Sequence, residues 1–248
     1  WLATLLMEGE IQDLILVRTS TGETRRLTDD ALREDDFAWA TDGETIYFTV
    51  APEGKSEVWS IRPDGSGRER CVNAPGNTDL FAPLPSPDGR WLYVEVGLKN
   101  PTPSLVDLGV PPAERRPAPL PPMSGKQPFG ARDWSADGRW LLGYPHDEAA
   151  EGEVKPVLTL FDVELRTYHT LADLGTENGC AFLPDSRRIL LWTKKGELRL
   201  LDRETGAFTP AGSIEGDFQR RWLSRDGHTL VGGTVTRQSD IWMLDDGP

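Results

Sequence analysis

Apolar residues in this chain fall into short runs, and pairs of runs are separated by a tight polar turn. The pattern recurs as FAWATDGETIYFTV (37–50), FAPLPSPDGRWLYVEV (81–96), WSADGRWLL (134–142), CAFLPDSRRILLW (180–192) and RWLSRDGHTLVGG (221–233). Asp-Gly between two strand-like runs marks a hairpin, because Gly accepts the positive φ of such turns. The turn aspartates are Asp42, Asp88, Asp137, Asp185 and Asp226, spaced by 46, 49, 48 and 41 residues. A hairpin recurring at that period predicts the blades of a propeller.

Further hairpins lie between these. DLILVRTSTGETRRLT (13–28) turns at Thr21-Gly22, EVWSIRPDGSGRERCV (57–72) around Gly65, and ELRLLDRETGAFTPAG (197–212) at Thr205-Gly206, while PVLTLFDVELRTYHTL (156–171) fills the same place in its unit. Four strands per unit predict an all-β propeller of four-stranded antiparallel blades. The expected units are 1–33, 34–78, 79–128, 129–175, 176–214 and 215–248, six blades in one domain. WLATLLM (1–7) matches a second strand, so the first unit is expected to lack its first. The last, with SDIWMLDD (239–246), is expected to lack its fourth, which predicts a segment of a longer polypeptide. In the third unit SLVDLGV (104–110) reads as a strand, and the proline-rich 111–128 as an outer edge plus loop, since proline is excluded from central strands.

Composition narrows the function. A net charge of −13 and pI of about 4.7 argue against a surface that tracks nucleic-acid phosphates. Cys71 and Cys180 match no metal or redox spacing and read as strand-packed thiols. No apolar run approaches the length of a membrane helix, so no membrane insertion by this segment is expected.

The run SPDGRWLY (86–93), with WSADGRWLL and the hairpin DLILVRTSTGETRRLT, resembles the TolB-like, PD40-type (WD40-like) β-propeller repeat: an aromatic, Ser-Pro-Asp-Gly, a basic residue, then an apolar strand. Pro85 at the aromatic place, Ser186 for the turn glycine and Arg225 for the proline are departures that touch single turns. The resemblance implies a six-bladed ring. It also implies one of several roles: periplasmic binding protein, sensor end of a bacterial kinase or regulator, or gate of a prolyl-oligopeptidase-type peptidase.

No Gly-x-Ser-x-Gly elbow, phosphate-cradling loop, His-Glu-x-x-His or EF-hand loop is present. No catalytic residue, cofactor or metal is therefore expected. His146, His169 and His228 read as exposed polar positions, and the pairs Asp29-Asp30, Asp35-Asp36 and Asp245-Asp246 as solvated turns. The turn aspartates read as turn locks. Trp39, Trp134 and Phe182, at one equivalent place, read as inter-blade packing, and Trp91 and Trp140 as core. A ligand site is expected at the mouth of the central channel, where the loops entering the first strands converge. Its candidates are Asp35, Asp36, Phe81, Arg132, Asn178, Gln219, Arg220 and Arg221, because they differ between blades that otherwise repeat. The expectation is a non-catalytic module binding a protein, peptide or small molecule, the sensor domain of a larger bacterial signalling protein outside the cytoplasm. A substrate gate for a serine peptidase is the alternative, and a metal-dependent hydrolase propeller a third.

Overall fold

The computed structural model describes residues 1–8, 11–30, 32–74, 76, 78–123, 128–145, 157–174, 177–193, 195–214, 220–224 and 226–233. Blade 1 is a three-stranded sheet of β1 (Leu2–Glu8), β2 (Ile11–Val17) and β3 (Thr24–Arg26). Blade 2 holds β4 (Glu34–Trp39), β5 (Ile46–Val50), β6 (Glu57–Ile61) and β7 (Glu69–Arg70). Blade 3 holds β8 (Leu80–Pro85), β9 (Trp91–Val96), β10 (Thr102–Asp107) and β11 (Ala118–Pro119). Blade 4 holds β12 (Phe129–Trp134), β13 (Trp140–Pro145), β14 (Val157–Asp162) and β15 (Thr167–Asp173). Blade 5 holds β16 (Glu177–Phe182), β17 (Arg188–Thr193), β18 (Glu197–Asp202) and β19 (Phe208–Ser213). Every pairing within these sheets is antiparallel, and each strand pairs with its neighbour in sequence.

The expected sixth blade is corrected. Among the described residues its unit contributes only a hairpin of β20 (Arg220–Leu223) and β21 (Leu230–Gly233), and 239–246 lies outside them. Blades therefore number five among the described residues. Each Asp-Gly turn signals one hairpin, but a two-stranded hairpin becomes a blade only when further strands pair onto it.

The second and third strands carry near-continuous apolar runs because neighbouring blades bury both of their faces. The core accordingly lies between blades. Ile46, Phe48 and Val50 meet Leu14 and Leu16 across blades 1 and 2, while Leu92 and Val94 meet Val58 and Cys71 across blades 2 and 3. Phe129, Leu141 and Phe161 surround Tyr93 at the next seam, and Leu158, Leu160, Phe182 and Leu191 fill the one after it. Outer strands β3, β7, β11 and β19 are exposed throughout, so the proline-rich edge at β11 interrupts no central pairing.

The repeated turns join the blades as well as reversing the chain. Each turn aspartate accepts the amide two residues on, at 2.8–3.1 Å. Thr41 donates to the Ser86 carbonyl of the next blade, and the Asp137 amide donates to the Ser186 hydroxyl of the one after its own. Trp134 Nε1 donates to the Leu84 carbonyl at 3.0 Å, and Phe182 N to Asp133 at 2.7 Å, so both aromatic positions do tie blade to blade. The basic residue after the turn reaches the end of the third strand, Arg139 to buried Asp162 and Arg187 to Asp202. Burial works against the Asp162 charge, but the Leu165 amide and then Arg139 hold its carboxyl below the usual range, and Arg187 first does the same for Asp202.

Candidate functional site

The first strands β4, β8, β12 and β16 lie beside one another in ring order and form the inner wall. Each loses register with its own second strand once, and at a matching place. The shifts fall between Glu34 and Phe37, Phe81 and Leu84, Ala131 and Asp133, and Glu177 and Gly179. A bulge adds a residue without a partner, bends the strand and re-aims side chains. The residues left in these four bulges are Asp35-Asp36, Ala82-Pro83, Arg132 and Asn178. The sequence puts its candidates in loops entering the first strands; the structure places Asp35, Asp36, Arg132 and Asn178 inside those strands, at the bulges, and Phe81 in β8 next to one.

Three of them meet in one cleft. Asp36 of blade 2, Phe81 of blade 3 and Arg132 of blade 4 line a cavity of about 380 Å³, with Ala82 and Glu95 between them. Gly97, Leu98 and Pro101 complete its lip. That volume lies at the small end of ligand pockets, which start at roughly 300 Å³. Asp35 is instead held by Arg33, Nε to Oδ1 at 3.0 Å, and does not line the cleft. Asn178, Arg220 and Arg221 have described backbones in β16 and β20 but side chains outside the description, and Gln219 lies outside the described residues.

Arg132 lies over the Tyr144 ring, 4.6 Å from its centroid, and its Nη1 donates to the Ala131 carbonyl at 3.4 Å. Lost hydration works against its charge, but Tyr144 and Glu95 outweigh that, and its pKa stands above the ordinary arginine value. An arginine stacked on an aromatic ring is a pre-organised fork for carboxylate or phosphate. Glu95 is buried and faces the Tyr93 hydroxyl at 3.2 Å. That hydroxyl also lies 3.0 Å from the Phe129 carbonyl and accepts the Ala131 amide, tying blade 3 to blade 4 just below Arg132. Burial first, then the charge of Glu95, pushes the Tyr93 pKa well up, so it stays a hydrogen-bonding phenol.

Two features of the wall escaped the sequence reading. Glu95 is a carboxylate inside the otherwise apolar run WLYVEV, and that misfit was its available signal. Ala82 has φ +51°, in the left-handed region, and sits in the bulge that lines the cleft. An alanine carries no mark of such a conformation, so nothing in the sequence could have found it. Cys180, in β16, is buried with its thiol pushed up to about 12, which leaves it packed rather than reactive.

Known proteins share the architecture. TolB from Acinetobacter baumannii superposes with a TM-score of 0.65 at 18% identity, over 86% of this chain and 52% of that one. The chain has the fold of a TolB-like β-propeller. A TolB candidate from Agrobacterium tumefaciens matches at a TM-score of 0.62 and 13% identity, covering 88% of this chain and 86% of its own. An oligogalacturonate lyase in complex with manganese matches this TolB-like ring at 0.63 and 13% identity, over 92% of this chain and 65% of that one. A fold shared with a lyase does not decide between catalysis and binding. In sequence, an uncharacterized protein of Agrobacterium fabrum (strain C58), Atu1656, is 34% identical over 83 residues, 34% of this chain and 28% of that protein. The chain thus spans about half the length of the Acinetobacter TolB and little more than a quarter of the Agrobacterium relative. No protein-family model matches it.

Proposed function

We propose that this TolB-like propeller is a non-catalytic binding module that takes a protein, peptide or small-molecule ligand at its channel-mouth cleft. It serves as the sensing end of a larger bacterial signalling protein outside the cytoplasm. One observation carries the reading: the same bulge, repeated on successive first strands, presents different side chains from blades 2, 3 and 4 to one cavity. A backbone deviation kept around the ring while its side chains diverge suits a site more than a scaffold. The cleft offers a guanidinium, two carboxylates and an aromatic ring, a set suited to recognising a charged ligand. His169 lies on outer strand β15 and His228 at a turn, away from it.

The test is affinity selection from a soluble library of short peptides, with termini free or blocked, followed by affinities for wild type, Arg132→Glu and, as a control on another face, Arg187→Glu. Selected peptides are expected to lose at least about tenfold in affinity with Arg132→Glu and little with the control. Selection of nothing sensitive to the cleft, or turnover of any substrate lost with Arg132, overturns the reading.

A further inference from the structure

The charges of the cleft are divided. Arg132 stands on blade 4 and Asp36 on blade 2, with blade 3 between them contributing Phe81, the buried Glu95 and the apolar lip of Leu98 and Pro101. One wall is cationic and the other anionic, and between them the apolar Phe81 and Leu98 share the cleft with the Glu95 carboxylate, whose charge acts on Arg132. A simple anion at Arg132 would face Asp36, and a simple cation at Asp36 would face Arg132. A ligand with opposite charges at its two ends satisfies both walls at once, which is electrostatic complementarity used for selection and orientation. A guanidinium has five N–H donors, of which the contacts to Ala131 and Tyr144 use part. Asp36 has a partner already, and a carboxylate, with about four acceptor positions, takes more than one donor.

Resting on the cleft being the binding site, we infer that it selects a short peptide with both termini free. The α-carboxylate lies on Arg132, the α-ammonium on Asp36, and an apolar side chain against Phe81 and Leu98. Arg132 provides the planar fork that a carboxylate matches with two parallel bonds, held in place by its stacking on Tyr144. The cavity of about 380 Å³ suits a ligand of a few residues rather than a folded partner.

The experiment is calorimetric titration of the purified chain with four forms of Leu-Ala: free, N-acetylated, C-amidated and blocked at both ends. The free dipeptide is expected to bind, and each single block to weaken it about tenfold or more, the loss of one charge-assisted contact. Arg132→Gln is expected to remove the penalty of amidation while keeping that of acetylation, and Asp36→Asn to do the reverse. Both side chains keep accessible surface, and circular dichroism checks that each variant is folded. Equal binding of the doubly blocked form, still lost with Phe81→Ala, overturns the reading of the termini and leaves the cleft as the site. If none of the four binds while library-selected peptides bind through Arg132, the inference fails alone. If neither class binds, the proposed function fails with it.

Discussion

The turn face and the channel mouth of this propeller are both built by repetition, and they differ in what repeats. On the turn face the side chains recur with the backbone. Ser86, Ser135 and Ser224 each lie 2.5 Å from the aspartate two residues on, and each takes an amide five residues on. At the channel mouth only the backbone recurs, as bulges in β4, β8, β12 and β16, and the residues in them are acids, alanine-proline, arginine and asparagine. Repetition of chemistry marks architecture, and repetition of geometry with divergent chemistry marks a site.

The sharpest way to break that contrast is a methyl group. A Cβ on Gly143, paired with Ala131 beside the Arg132 bulge, would fall 2.1 Å from the Gly130 carbonyl oxygen, where backbone cannot yield. Gly143→Ala is expected to cost about 3 kcal/mol or more, at the upper end of overpacking, read from the urea midpoint. Gly89, at a turn with φ +71° and open space around it, is expected to lose only about 1 kcal/mol to alanine, the left-handed backbone penalty. Similar losses at the two glycines would show that the bulged wall has no special tightness.

Acids divide the same two regions by pH. On the turn face Asp88, Asp185 and Asp226 have lowered pKa values through hydrogen bonds from their turns, against the burial felt by the first two. Glu34, which opens the blade 2 bulge, goes the other way. It is fully buried, its Oε2 has no partner among the described atoms, and Arg68 Nη2 approaches Oε1 only at 3.5 Å. Burial first, then the charge of Asp30, raises its pKa from 4.5 to about 7. Between those values the native state binds the proton more tightly than the unfolded chain, so this contribution is complete below pH 4.5 and lost as pH rises through 7. The loss is at most about 3 kcal/mol, and at roughly 2–4 °C per kcal/mol for a domain of this size it lowers Tm by several degrees. The turn aspartates contribute in the opposite direction, losing their stabilisation as pH falls below about 4. Thermal scans from pH 3 to 8 are expected to peak near 4.5–5, and Glu34→Gln to flatten the descent toward pH 7. An unchanged descent in that variant would assign it to another group.

A smaller effect separates structure from binding. Ser135 is buried, and its hydroxyl both accepts the Trp140 amide at 2.9 Å and donates to Asp137. Ser135→Ala is expected to cost about 1–2 kcal/mol and to leave ligand affinity unchanged. A tenfold change in affinity would show that the two faces are coupled.

The sequence made the blades plain because Asp-Gly and the double-faced apolar runs carry both the turn and the burial of each strand. It pointed to Asp36, Phe81 and Arg132 because charged or unlike residues interrupt an otherwise repeated first strand. Asp35 passed the same filter, but Arg33 holds its carboxylate and it does not line the cleft; a bulge breaks the two-residue alternation, so the pattern alone does not say which of two adjacent residues reaches a site. The blade count erred because a turn records a hairpin and is silent about the outer strands. The bulges left no trace, since an extra residue in a strand changes pairing without changing composition.

Ala82 gives the finest test. At φ +51° its Cβ is held where L-residues are disfavoured by about 1 kcal/mol or more, and it does so in the bulge that lines the cleft. Glycine relieves that strain but makes the unfolded chain more flexible, which returns roughly 0.4–1 kcal/mol. Ala82→Gly is therefore expected to leave stability within about 1 kcal/mol of wild type. The bulge, however, loses the side chain that helps fix its backbone between Phe81 and Arg132. If the strained alanine pre-organises the cleft, the variant binds more weakly at unchanged stability, with the loss in the dissociation rate. If the strain is only tolerated, stability rises and affinity stays. The two results fall on different axes, so urea unfolding and binding kinetics on one variant decide whether the bulge serves the ring or the ligand.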